Sequence, residues 1–253
     1  GLVRYDGLKF ISFSTRDSLA ADFIMSLKVA DDGALWIGHN NGDVTYYKDG
    51  IFKPIRLPGT NSPVRCINFD QQGNVWLTIQ NSGFAKIDKY HNVSTWFDTG
   101  SLGYTLFYSI YPLGDNVVLL GTSEGLMRLT GGAQGKIQSL EKFTDIPLTT
   151  ITSIKARRGI QDEFWITTED EGFYRFALNE SSAKQIIDKD LCLMFNLEYE
   201  NIQDIEEEDE GHILLATWGN GVIKLFYDAL NQEFTESFNF SVTNGMSNNF
   251  VKD

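Results

Sequence analysis

The sequence predicts an all-β repeat protein, a β-propeller built of four-stranded antiparallel blades, and three observations carry that prediction. A strand-and-turn pattern recurs every 40 to 49 residues. Short runs of β-branched and aromatic residues are divided by Gly, Asn and Asp clusters along the whole chain, the pattern of strands joined by hairpin turns. The length of 253 residues exceeds the ~150-residue norm for one domain, as single all-β domains commonly do.

The repeat is clearest at its second strand. Asp32-Gly33-Ala34-Leu35-Trp36-Ile37-Gly38 is followed by Gly42, and Gln72-Gly73-Asn74-Val75-Trp76-Leu77-Thr78 by Gly83. Further on, Asp115 to Gly121 leads to Gly125, Glu163-Phe164-Trp165-Ile166-Thr167 to Gly172, and Gly211 to Thr217 to Gly221. Trp36, Trp76, Leu119, Trp165 and Leu214 hold one position, at spacings of 40, 43, 46 and 49 residues. The tryptophans are expected in the core, where a large flat side chain fills the gap between neighbouring blades.

A first strand precedes each of these segments: Ile24-Met25-Ser26-Leu27, Val64-Arg65-Cys66-Ile67, Phe107-Tyr108-Ser109-Ile110, Ile151-Thr152-Ser153-Ile154 and Ile202-Gln203-Asp204-Ile205. A third follows the second glycine, as in Val44-Thr45-Tyr46-Tyr47 or Phe173-Tyr174-Arg175-Phe176, and a fourth closes the unit, as in Phe52-Lys53-Pro54-Ile55. Four antiparallel strands in such a period describe a propeller blade. The expected organisation is one domain over residues 1–253, with the end of a preceding blade at 1–15, five complete blades at 16–243 and the start of a following blade at 244–253. On that reading the chain is a piece of a larger, seven-bladed propeller.

The sum of 21 Lys+Arg against 34 Asp+Glu gives a net charge of −13, which argues against nucleic acid, since binding it needs a basic footprint. No apolar stretch approaches the roughly 20 residues of a spanning helix. Cys66 and Cys192 have no metal-site spacing, so no disulfide framework or zinc site organises the chain; two free thiols or one long-range disulfide both fit.

The combination GxLWIGT followed by GLxRxD resembles the two-component regulator propeller repeat. It is carried by Asp31 to Gly38, by Gly121-Thr122-Ser123-Glu124-Gly125-Leu126-Met127-Arg128-Leu129, and by the lead-in Gly245-Met246-Ser247-Asn248-Asn249-Phe250-Val251. The resemblance weakens over Ala177 to Asn201, where an insertion lengthens a link. It implies the periplasmic sensor region of a hybrid histidine kinase, with the membrane and kinase segments as partners, no cofactor, and room for a homodimer.

In a propeller the loops between second and third strands open on the face where ligands bind. Those loops are expected to hold His39-Asn40-Asn41, Gln80-Asn81-Ser82, Ser123-Glu124, Glu169-Asp170-Glu171 and Trp218-Gly219-Asn220. Amides and carboxylates with a tryptophan suit an oligosaccharide, so the candidate site is Trp218, His39, Asn41, Gln80, Glu124, Glu169 and Asn220, with Arg65, Tyr108 and Gln203 from first strands. Turn chemistry alone accounts for most of the Asn, Asp and Ser. Trp218 is required by no turn, and two roles stay open for it: a stacking platform, or a plug packed against the next blade.

The run Glu206-Glu207-Glu208-Asp209-Glu210 is expected as a solvated acidic turn, because calcium needs ligands converging from several directions. An enzymatic alternative, a lyase or glycosidase, would pair His39 with Glu124 or Glu169 as general acid and base. No nucleophile elbow, HExxH or phosphate loop supports it, and the preferred expectation is a non-catalytic sensor. A protein-binding propeller is the remaining alternative.

Overall fold

The computed structural model describes residues 1–97, 105–114, 116–131, 136–178, 184–185, 201–208, 211–228, 230–231 and 233–252. Cys192, Asp209 and Glu210, and most of the 177–201 insertion, lie outside them.

The described residues form an all-β chain with no α-helix. A two-stranded hairpin comes first, β1 (Leu2–Tyr5) with β2 (Phe10–Phe13). Five four-stranded sheets follow in chain order. They are β3 (Ile24–Val29), β4 (Leu35–His39), β5 (Val44–Lys48) and β6 (Ile51–Ile55), then β7 (Val64–Phe69), β8 (Val75–Ile79), β9 (Gly83–Ile87) and β10 (Val93–Phe97). Next stand β11 (Phe107–Gly114), β12 (Val117–Thr122), β13 (Gly125–Gly131) and β14 (Ile137–Lys142), then β15 (Ile151–Ala156), β16 (Glu163–Thr168), β17 (Phe173–Ala177) and β18 (Lys184–Gln185). The last sheet is β19 (Ile202–Glu207), β20 (His212–Thr217), β21 (Val222–Asp228) and β22 (Glu233–Phe240). In every sheet each strand pairs with its sequence neighbour, so local hairpins account for all the pairing.

Two compact units divide the chain: Gly1–Leu120 with Met127–Glu141, and Gly121–Leu126 with Lys142–Asp253. In the first, the first strands of successive sheets lie side by side, β3 against β7 and β7 against β11. Ser26 Oγ donates to the Val64 carbonyl at 2.9 Å, and Asn68 Nδ2 to that of Ile110 at 3.2 Å. The second unit repeats the arrangement with β15 against β19, where Thr152 Oγ1 donates to the Ile202 carbonyl at 2.5 Å.

The second-strand tryptophans are core, as their periodicity predicts. Trp36, Trp76 and Trp165 are 3%, 1% and 0% exposed, each in a separate apolar cluster. Trp76 Nε1 donates to Asp70 Oδ2 at 2.9 Å and Trp165 Nε1 to Glu207 Oε2 at 3.0 Å, so each indole satisfies its one polar atom.

Among the described residues of the acidic run, Glu206 and Glu208 keep side chains 69% and 42% exposed, as expected of a solvated turn, and Glu207 departs from it. Glu207 lies within β19 with a side chain only 11% exposed, 3.6 Å from Arg157. Glu206 lies 3.6 Å from Lys155 and Glu208 2.6 Å from Lys224. Glu207 reads as solvated only while its partner, about 50 residues upstream, is out of view.

Candidate functional site

Four first strands carry the same irregularity, a one-residue register shift opposite the second strand. It falls between Ile24 and Ser26, Val64 and Cys66, Ile151 and Ser153, and Ile202 and Asp204. The extra residue is Met25, Arg65, Thr152 or Gln203, and the repeat assigns Tyr108 the same position in β11. The cause is in the sequence: Val64 and Ile67, Ile151 and Ile154, and Ile202 and Ile205 are all buried, at a spacing of three that a regular strand cannot place on one face. A β-bulge reconciles them and re-aims the residue between. Three expected site residues, Arg65, Tyr108 and Gln203, hold this position.

In the first unit the structure brings Arg65, Gln80 and Tyr108 together. Arg65 Nε donates to Gln80 Oε1 at 3.0 Å, and its guanidinium carbon stands 5.5 Å from the centre of the Tyr108 ring. Gln80 is itself fixed, its N–H donating to the Pro63 carbonyl at 3.0 Å and its carbonyl accepting from Phe107 N–H at 3.0 Å. All three side chains are half-buried.

His39 is a correction. It is the last residue of β4, is fully buried, and shares a 2.8 Å hydrogen bond between Nε2 and Thr45 Oγ1. Burial lowers its pKa, against the opposing pull of the Phe23 and Ala21 carbonyls and of Asp43 and Asp22. Counting from Trp36, His39 occupies the position of Thr122, Thr168 and Thr217, so its expected place in the loop was one residue out of register. Those threonines each donate at 2.8 Å to the carbonyl of the glycine that closes the turn, Gly125, Gly172 and Gly221. Asn41 is held inside its own hairpin, with Nδ2 donating to Asp43 Oδ2 at 3.0 Å.

In the second unit Trp218 and Asn220 share the β20–β21 hairpin, where Trp218 is 55% exposed. Its ring meets the equally exposed Phe250 edge-on, with centroids 5.2 Å apart, and the two residues form an isolated antiparallel bridge. The Asn249 carbonyl accepts from Gly219 and Gly221 N–H at 3.2 and 2.8 Å, pinning the hairpin. Gln203 joins through Asn201, whose side-chain oxygen accepts from Gln203 Nε2 and whose carbonyl accepts from Trp218 N–H at 2.9 Å. Glu169 is half-buried, its N–H donating to the Thr150 carbonyl at 3.1 Å. Glu124 is exposed and paired with Lys142 at 2.8 Å.

Asn201, Asn249 and Phe250 were missed by sequence reasoning. Phe250 had a signal: the lead-in 241–250 repeats the geometry of 14–23. In both, a short 3₁₀ turn is closed by a side-chain acceptor three residues on, with Ser14 N–H donating to Asp17 Oδ2 at 2.9 Å and Ser241 N–H to Asn244 Oδ1 at 2.6 Å. A later side chain then accepts from the next N–H, Asp22 from Thr15 at 2.7 Å and Asn249 from Val242 at 2.8 Å.

No protein-family model matches this chain, and no curated protein matches it. Solved structures do. PorZ, an essential bacterial surface component of the type-IX secretion system of Porphyromonas gingivalis, is 15% identical with a TM-score of 0.69, over 99% of this chain and 39% of that one. The extracellular domain of the putative hybrid two-component system BT4673 from B. thetaiotaomicron is 16% identical with a TM-score of 0.52, over 90% of this chain and 34% of that one. A streptogramin B lyase structure is 14% identical with a TM-score of 0.65, over 87% and 70%. The likeness is one of fold, and the chain spans between a third and two fifths of the length of the first two.

Proposed function

We propose that this chain is a ligand-sensing β-propeller module, its five sheets serving as blades, from the extracytoplasmic part of a two-component sensor kinase, and that its ligand is a carbohydrate. The resemblance of its repeats to two-component regulator propellers and the shared fold with an extracellular two-component domain support the sensor role. One observation carries the ligand class: Trp218 leaves more than half its surface open while hydrogen bonds on both sides hold its hairpin in place. A sugar ring offers an apolar C–H face to an aromatic plane and hydroxyls to neighbouring amides, here Asn220, Asn201 and Gln203. Binding without turnover is part of the proposal, and the signal passes to membrane and kinase segments.

The test is calorimetric titration of a neutral and acidic oligosaccharide panel against the wild type and Trp218→Ala. A loss of about tenfold or more with an unchanged melting temperature supports the platform role. Unchanged affinity with a lowered melting temperature makes Trp218 a packing residue and overturns the assignment. A protein-binding role is the second reading, favoured by Val3, Tyr5 and Phe10, each more than half exposed on the β1–β2 hairpin.

A further inference from the structure

We propose that Arg65, with Gln80 and Tyr108 in the first unit, binds an anionic group, a carboxylate or sulfate carried on a saccharide. The proposal rests on the reading of this chain as carbohydrate-binding, concerns the first unit by itself, and adds the charge class of the saccharide.

Arg65 is held for such a role from three sides. The bulge at residue 65 turns its side chain out of the strand alternation. Gln80 takes its Nε–H at 3.0 Å, fixing the plane of the guanidinium, and the Tyr108 ring lies 5.5 Å from its central carbon. Among the described residues both terminal nitrogens are left to form the two-pronged contact that matches a planar carboxylate or a sulfate edge.

Among the described residues the cations divide into those that meet a carboxylate and those, Arg65 and Arg175 among them, that do not. Arg157 meets Glu163 and Glu207, and Lys48, Lys86, Lys142, Lys155 and Lys224 each meet a carboxylate within 3.6 Å. Among the described residues no carboxylate pairs with Arg65, although the chain carries a net charge of −13. A half-buried guanidinium held in place and met by no carboxylate of the described residues is pre-organised for an anion from outside, with little ordering cost left at binding. The overall negative field also explains why an acidic saccharide would need a fixed cation to be held at all.

The experiment titrates the chain with tetragalacturonate, with its uncharged methyl ester, with a sulfated chondroitin disaccharide, and with tricarballylate as a non-sugar anion. Calorimetry gives affinity, and arginine Nε–H NMR signals report on Arg65 directly. Arg65→Lys keeps the charge and stem while losing the fork, so it is the variant expected to fold; its melting curve is recorded beside Arg65→Ala. The expected result is a shift of the Arg65 signal with the uronate or the sulfated sugar. It goes with affinity about tenfold or more above that of the ester, lost in Arg65→Lys without a change in melting temperature. Which of the two acids binds identifies the group. An ester that binds as well as the acid, or Arg65→Lys binding like the wild type, overturns the anionic anchor while leaving the carbohydrate reading standing. Tricarballylate shifting Arg65 as strongly as the uronate overturns the carbohydrate reading and leaves the anchor. No anion moving the Arg65 signal overturns it outright.

Discussion

Tyr174 is 2% exposed, and its hydroxyl has no hydrogen-bond partner among the described residues. Burial, with the charge of Glu171 adding to it, pushes the phenol pKa up to about 12. A buried hydroxyl without a partner loses its bonds to water and gains nothing, so its removal carries no penalty. Tyr174→Phe is expected to leave stability unchanged or raise it by up to about 1 kcal/mol in urea unfolding. A loss of that size would reveal a partner for the hydroxyl.

Histidines set a pH response at the same scale. His39 and His91 are both held below the ordinary value of 6.5, first by burial, and in His91 also by the charge of Lys53. The unfolded chain therefore takes up protons near pH 6.5 that the folded chain refuses. Stability is full above 6.5 and falls as pH drops through that value toward the lowered folded pKa values. His39→Thr installs the residue that three sister repeats carry and removes one of the two titrations. Chemical denaturation between pH 7 and pH 5 should show a shallower slope in the variant, and an unchanged slope would refute the assignment. Asp70 acts in a separate window: burial raises its pKa, but bonds from Trp76 and Asn74 outweigh it and hold it below 3.8, so its contribution is lost only as pH falls below that.

Hairpin turns show at the scale of elements how one motif can be worth different amounts. Asp70 accepts from Gln72 and Asn74 N–H at 3.0 and 2.9 Å and from the buried Trp76 indole, with its own side chain 4% exposed. Asp88 accepts the equivalent backbone bonds from Tyr90 and Asn92, both at 2.9 Å, in the exposed turn before β10. Asp70→Ala strands a buried indole N–H and is expected to cost about 2–3 kcal/mol, and Asp88→Ala clearly less. Equal losses in urea titrations would contradict the burial argument.

Two turn glycines separate backbone strain from space. Gly50 and Gly221 have φ of +83° and +80°, but a Cβ on Gly50 meets nothing, whereas one on Gly221 would strike the Phe240 carbonyl, whose carbon lies 3.1 Å away. Gly50→Ala should therefore cost only the left-handed strain of about 1–2 kcal/mol. Gly221→Ala should cost clearly more, since β22 must also move, and comparing the two melting temperatures checks this.

For the molecule as a whole, one tie between sheets stands in the second unit. Arg157 has a side chain 5% exposed, 2.9 Å from Glu163 and 3.6 Å from Glu207, with its guanidinium 4.7 Å from the Trp165 ring centre and 5.5 Å from that of Tyr227. It joins the sheet β15–β18 to the sheet β19–β22. Removing one member of a buried ionic group leaves the others desolvated without compensation, so Arg157→Ala is expected to cost about 3–5 kcal/mol. A double-mutant cycle with Glu207→Gln in equilibrium unfolding should show coupling, and strict additivity would exclude a shared network.

The sequence by itself determined the all-β class, the strands and their order in each sheet, and the burial of Trp36, Trp76 and Trp165. These depend on neighbours a few residues apart, on alternation, turn residues and a fixed period, which a linear string records. It also singled out Arg65, Tyr108 and Gln203, because the repeat aligns them, and apolar residues three apart in a strand already imply the bulge. Only the tertiary structure decided where a strand ends and a loop begins at His39, which turned a presumed ligand contact into a buried residue bonded to Thr45. Only it paired Glu207 with Arg157, set Trp218 against Phe250, and placed Arg65 between Gln80 and Tyr108. Those outcomes depend on groups that packing brings together from distant parts of the chain, where burial and charge, rather than local pattern, fix what a side chain can do.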